Sequence, residues 1–256
     1  MIRELLAHPL ARGMDIDSPG TTLVRNRIIQ GKPFLKKLYF EWYRELLNSV
    51  PDMEGKILEL GSGAGFLKDL SPEVITSEVL ECEGVDRRID ACKHIPFEAG
   101  ELKAILMTDV FHHLPDVEVF FDESSRVVAA GGVISMLEPW VTPWSSLIYS
   151  RLHHEPFDPK SPHWKFEPAG PLSGANGALP WIVFSRDRGI FERKFPNWRI
   201  EAIRLMMPIA YLLSGGVSMR SLFPGWGYSL VRSAERALGR FNREIAMFAF
   251  ITLRRI

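Results

Sequence analysis

The chain has 256 residues, 46 % hydrophobic and 24 % charged, which suffices for a full packed core and excludes wholesale disorder. Lysine plus arginine equals 31 and aspartate plus glutamate equals 31, so no global basic field exists to attract a nucleic acid, and none is expected as a partner. Two cysteines, Cys82 and Cys92, are too few for a disulfide scaffold, and neither sits in a metal-type pair.

Residues 1–22 carry the turn formers Asp15, Asp17, Ser18, Pro19 and Gly20 and are read as a loosely attached arm. Glu4 and the lack of a long apolar run argue against a signal peptide. The most apolar stretches, 206–213 and 245–253, fall short of the ~18–20 residues that span a bilayer. A cytoplasmic protein is expected, with attachment to a membrane surface as the alternative.

A helix is predicted from Pro33, because Phe34, Leu35, Leu38, Trp42 and Leu46 recur at helical spacing. Its Lys36, Lys37, Tyr39, Trp42 and Tyr43 suit either a membrane surface or a cover over a ligand pocket. Residues 56–60 form a strand, a glycine-rich turn follows at 61–65, and a helix is predicted from there to about Leu70. Strands are predicted at 74–79, at 84–89 (weaker), and at 104–108. Residues 117–130 have helical spacing closed by Gly131-Gly132, and 133–137 read as a fifth strand. Residues 140–185, rich in Pro, Gly, His and Trp, are expected to form an ordered cap, since so long a structureless loop is rare in a compact domain. A strand at 198–207, a helix at 230–241 and a strand at 246–253 complete the pattern. Alternating strands and helices imply an α/β fold with a parallel sheet covered on both faces. The expected division is an arm and helix at 1–50, a ligand-binding core at 51–140, a cap insertion at 141–197 and closing elements at 198–256.

The chemistry concentrates in the run Glu59-Leu60-Gly61-Ser62-Gly63-Ala64-Gly65-Phe66. Glycines between a strand and a helix let backbone approach a ligand and aim N–H groups at it. A dinucleotide site would place its last glycine where Phe66 stands. Glu59 ahead of the turn would repel a phosphate and suit a cationic ligand. Glu78, near the end of the second strand, can take both hydroxyls of a ribose. The Asp90-Ala91 pair precedes Ile95-Pro96-Phe97, and Thr108-Asp109-Val110-Phe111-His112-His113-Leu114-Pro115-Asp116 follows the fourth strand.

With Arg126 to Gly132, these elements cover about residues 55–140 and resemble class I S-adenosylmethionine-dependent methyltransferases, in particular the type 11 small-molecule group. Two positions depart from that pattern, Ile95 for a leucine and Ala130 for a proline. The resemblance implies a Rossmann-like fold with a mostly parallel seven-stranded sheet, helices on both faces and an inserted cap. It implies S-adenosyl-L-methionine as cofactor, bound by Glu59, Gly61, Ser62, Gly63, Gly65, Glu78, Asp90, Ala91, Thr108 and Asp109. Its acceptor would be a small molecule, lipid-like or glycan-related, methylated by in-line displacement. His112, His113 and His153 are the candidate catalytic bases, with His154, Glu155, Asp158, His163 and Glu138 nearby in sequence. No metal is expected, because His153-His154-Glu155 lacks a helical i, i+4 histidine pair. The competing readings are an NAD(P)-dependent oxidoreductase of similar sheet order and a non-catalytic protein that keeps the fold. The sequence leaves the oligomeric state open.

Overall fold

A computed structural model describes residues 6–13, 15, 17–152, 155–167, 170 and 174–256. The strands are β1 (Lys56–Leu60), β2 (Val74–Glu78), β3 (Arg87–Arg88), β4 (Leu102–Thr108), β5 (Val128–Pro139), β6 (Trp198–Met206) and β7 (Phe248–Arg255). They form one sheet in the order β3-β2-β1-β4-β5-β7-β6. The first five run parallel to one another, whereas β7 pairs antiparallel with both β5 and β6. Strand order reverses between β1 and β4, and a crevice opens beyond the carboxyl ends of strands at such a switch point.

Alternation along the strands builds two cores. Leu58, Ile105 and Ile134 face one core with Phe111, Phe120 and Phe121, while Ile57, Leu106 and Val133 face the other. The second core is closed by helices α1 (Pro19–Gly31) and α2 (Pro33–Asn48). Helix α2 buries Phe34, Leu35, Leu38, Tyr39, Trp42, Tyr43 and Leu46, the expected stripe with its aromatics added. Tyr39, Trp42 and Tyr43 therefore pack inward and offer no lipid-facing surface.

Several boundaries differ from the sequence expectation. Residues 19–22, read as part of a loose arm, open helix α1, with Pro19 in its first turn. The helix after the glycine turn is only one turn long, α3 (Leu67–Leu70), because Phe66 is drawn into an aromatic cluster with Tyr39, Phe40 and Tyr43. Helix α4 (Val117–Val127) stops three residues early, and Gly131-Gly132 lie inside β5. There Gly131 has φ +84° and a Cβ on Gly132 would meet the Ala129 and Lys103 carbonyls at 2.9 Å, so the pair marks a break in pairing, where Leu102 and Ala104 of β4 face Val128 and Val133.

The segment after β5 contains α5 (Pro143–Leu152), α6 (Leu179–Trp181), which runs on through a π-type turn at Ile182–Arg186, and α7 (Arg188–Lys194). Ile182, Val183, Phe184 and Phe191 sit in the same buried cluster as Leu58 and Ile105, so this part of the segment belongs to the sheet's own core. After β6 come α8 (Ala210–Ser214), α9 (Tyr228–Ala237) and α10 (Asn242–Ile245). Glu235 of α9 accepts the Ile209 and Ala210 N–H groups at 2.7 and 2.6 Å, capping α8, and Arg232 bridges Glu235 to Glu41 of α2. No described helix is long and apolar enough to cross a membrane.

Phe121 is 0 % exposed and packs against Phe111, Phe120, Phe184, Phe191, Phe195 and Trp198. Phe121→Ala should lower unfolding stability by about 3–5 kcal/mol, read from the denaturant midpoint. A loss under about 1 kcal/mol would mean that this aromatic cluster is not the close-packed core described here.

Candidate active site

The crevice at the β1/β4 switch point is lined by Glu59, Gly61, Gly65, Glu78, Asp90 and Asp109, among others. Of the positions singled out in the sequence, Ala91, Thr108, His112 and His113 also line it. Ser62 and Gly63 do not; they hold the turn in place. The Ser62 N–H donates to the Ser77 carbonyl at 2.9 Å, and the Ser62 hydroxyl accepts the Ser77 N–H at 3.1 Å. Both serine hydroxyls donate to the Glu59 carbonyl, at 3.2 Å from Ser62 and 2.7 Å from Ser77. Gly63 N–H donates to Glu78 Oε2 at 3.2 Å, while the Val79 N–H donates to Oε1 at 2.8 Å. A Cβ on Gly63 would lie 2.7 Å from Glu78 Oε2 and also collide with Thr22, so only glycine fits. Gly61 has φ +71° and would meet Val110, and Gly65 would meet the Tyr43 hydroxyl.

Glu59 is buried, and its Oε2 has no hydrogen-bond partner among the described residues. Burial pushes its carboxyl up to about 7, against the Ser62 hydroxyl and with help from the Glu78 charge. Burial likewise raises Glu78, partly offset by the Val79 and Gly63 N–H groups. Asp109 is raised to about 7, by burial first, with His112 opposing and Glu138 and Glu155 adding. Its φ of +56° places a non-glycine residue in the left-handed region, which aspartate tolerates better than most. Asp90 Oδ1 accepts the Cys92 N–H at 3.1 Å, so it caps its own turn while lining the crevice.

At the opposite wall, Glu138 is fully buried at the end of β5. It accepts the Val110 and Phe111 N–H groups at 2.8 and 2.7 Å, and its Oε2 lies 2.7 Å from His112 Nδ1. His112 Nε2 in turn lies 3.5 Å from Glu155 Oε2. Burial disfavours the imidazolium, but the two carboxylates prevail and raise His112 to about 10. His113 goes the other way, to about 4, through burial and the neighbouring His112. Its Nδ1 lies 3.1 Å from the Gly174 carbonyl, and its Nε2 3.8 Å from Glu155 Oε1. The small-residue loop before α6 therefore buttresses this wall: Asn176 N–H donates to the His112 carbonyl at 3.0 Å. His153 and His154 lie outside the described residues. Asp158 and His163 do not line the crevice.

Sequence reasoning missed the contribution of α1. Thr22 and Arg25 line the crevice, and Arg25 Nε is buried without a partner among the described residues. Asn26 Nδ2 donates to the Ala64 and Gly65 carbonyls at 3.1 and 3.3 Å, pinning the glycine turn from outside. Pro19 was the available signal, since proline at a first helical position marks a helix start. Tyr39, Tyr43, Tyr149 and Tyr211 also face the crevice. Val217 and Ser218, beyond β6, border it as well.

Residues 63–136 match the model of a family described as methyltransferase domain. An S-adenosylmethionine-dependent methyltransferase from Archaeoglobus fulgidus has a TM-score of 0.51 at 14 % identity, covering 86 % of this chain and 94 % of that one. Geranyl diphosphate C-methyltransferase from Streptomyces coelicolor A3(2) gives 0.48 at 13 % identity, covering 98 % and 89 %. A methyltransferase from Mesorhizobium loti gives 0.48 at 16 %, covering 83 % and 96 %. No curated protein matches in sequence. The sheet order and the likeness to the Archaeoglobus fulgidus structure give the chain the Rossmann-like class I methyltransferase fold.

The raised Glu59 carboxyl has a measurable consequence. Between its ordinary value of 4.5 and about 7, the folded chain keeps a proton that the unfolded chain has lost. Folding stability from this group is therefore greatest at low pH and declines as pH rises through that window. Thermal unfolding of wild type and Glu59→Gln from pH 4.5 to 7.5 should show the variant gaining on wild type as pH rises. Parallel curves would mean that Glu59 is not buried in the way described.

Proposed function

We propose that this chain transfers a methyl group from S-adenosylmethionine to a small acceptor held between the glycine turn and the His112–His113 wall. The observation that carries the reading is the buried Glu59 Oε2, partnerless among the described residues, beside a glycine turn whose near neighbours are Glu78 and Asp109. Such a crevice suits a nucleoside that carries a sulfonium and an ammonium, and it would repel the pyrophosphate of a dinucleotide. The Thr108 hydroxyl, buried without a partner among the described residues, offers a second contact.

The cofactor, when bound, supplies a methyl group activated on a positive sulfur. The residues of the chain do the rest. Glu59 and Asp109 take the positive end, Glu78 the ribose hydroxyls and Asp90 the adenine amine. Arg25, a cation among carboxylates, takes the carboxylate of the amino-acid end. Tyr149 and Phe157 form the apolar wall against which the acceptor lies. Holding an acceptor atom close and in line is the main catalytic contribution for such a displacement. A base is needed only if the acceptor must lose a proton. With no ion on the two Nε2 atoms, His113, kept neutral, is suited to accept one, whereas His112, clamped between carboxylates, is suited to donate a hydrogen bond. The insertion at 141–197 serves as the acceptor-facing cap through Glu155 to Phe157 and Gly177, and the chain works in the cytoplasm.

S-adenosylhomocysteine should raise the melting temperature of the wild type, while NADH should not. Gly63→Val and Glu78→Ala should each abolish that rise, and circular dichroism of Glu78→Ala checks that loss of binding is not loss of fold. No shift at millimolar S-adenosylhomocysteine, or an equal shift with NADH, would refute the reading. Incubation with labelled methyl donor and a cell extract, followed by mass identification of the labelled product, identifies the acceptor.

A further inference from the structure

The His112–His113 wall has a feature that methyl transfer alone does not require. Two imidazoles and one carboxylate converge, and each ring is locked by a partner on its far nitrogen. His112 Nδ1 donates to Glu138 Oε2 at 2.7 Å, and Glu138 is itself immobilised by the Val110 and Phe111 N–H groups. His113 Nδ1 donates to the Gly174 carbonyl at 3.1 Å. Both Nε2 atoms are thereby left to face Glu155, at 3.5 Å from its Oε2 and 3.8 Å from its Oε1. The ligand atoms of the three residues lie within 4.8 Å of one another.

We propose that His112, His113 and Glu155 bind one divalent first-row transition-metal ion, which holds an acceptor through an oxygen atom. An ion bonded at about 2.1 Å to nitrogen and oxygen in tetrahedral geometry sets its ligands about 3.4 Å apart. The His112–Glu155 separation is already at that value, and an ion drawing Glu155 inward closes the others. Two histidines and one carboxylate select zinc, iron, cobalt or manganese over magnesium or calcium, which prefer oxygen alone. Three protein ligands leave at least one coordination position, and all three residues line the crevice, so that position faces it. The Glu138–His112 pair is the outer-shell carboxylate that orients a metal-binding imidazole. The sequence hid this site, because its histidines are adjacent in a tight turn while its carboxylate comes from beyond α5.

The metal site stands on its own geometry, and only the acceptor class rests on the methyl-transfer reading. Chelator-stripped full-length protein is titrated with Co²⁺, followed by the visible ligand-field absorption, and Zn²⁺ is then added in competition. One equivalent of Co²⁺ should bind and be displaced by Zn²⁺. His113→Ala and Glu155→Gln should lose the band, and Glu138→Gln should weaken binding about 10- to 100-fold. The S-adenosylhomocysteine melting shift should persist in His113→Ala and Glu155→Gln, which separates a failed metal site from a failed cofactor site and shows that the variants are folded. Absence of stoichiometric Co²⁺ binding means a histidine–carboxylate hydrogen-bond pair only, and overturns the site. Equal binding by wild type and both variants places the ion elsewhere and also overturns it. If the ion binds but methylation of extract components is indifferent to metal removal, the assignment of the acceptor to the ion fails.

Discussion

The knot of hydrogen bonds joining the Glu59 carbonyl, Ser62 and Ser77 fixes the end of β1 against β2, and the rest of the crevice depends on it. Both serine hydroxyls converge on one carbonyl, while the Ser62 N–H donates to the Ser77 carbonyl and the Ser77 N–H to the Ser62 hydroxyl. With the turn held there, Gly63 can press its N–H against Glu78 and leave no room for a side chain. With the turn so held, Glu59 Oε2 is buried without a hydrogen-bond partner among the described residues. A buried lone carboxylate costs stability unless something pairs with it. That cost is the physical argument for a cationic ligand.

The same logic organises the opposite wall. Glu138 accepts hydrogen bonds from the turn that carries His112 and from the His112 ring, so one buried carboxylate sets both backbone and side chain. The adjacent His112 and His113 are driven to opposite protonation tendencies: burial and the neighbouring His112 push His113 down, whereas the carboxylates around His112 outweigh its burial and push it up. Residues that are neighbours in sequence thus acquire different chemistry from tertiary contacts alone.

How much of this was legible in the sequence follows from how local each feature is. Strand β1, its glycine turn and the apolar stripe of α2 are local patterns, and the structure keeps them within a residue or two. Glu78 and Asp109 could be placed because each directly follows or ends an apolar strand. Helix α1 escaped notice because Leu23, Val24, Ile28 and Ile29 form no single clean stripe, and with it Thr22 and Arg25 were missed. The Gly131-Gly132 pair was misread as a helix stop, because a glycine pair looks the same in sequence whether it ends a helix or breaks a ladder. The pairing of Glu138 with His112 and the approach of Glu155 depend on the turn, strand and loop meeting in space, and no sequence spacing encodes that.

The carboxylate-lined glycine turn is proposed to receive the nucleoside of S-adenosylmethionine. A crystal structure of the protein grown with S-adenosylhomocysteine tests it most directly. Ribose hydroxyls on Glu78, the amino-acid end beside Glu59 and Arg25, and adenine near Asp90 are expected. Ligand bound elsewhere, or a crevice filled by the chain's own Tyr149 and Phe157, would contradict it.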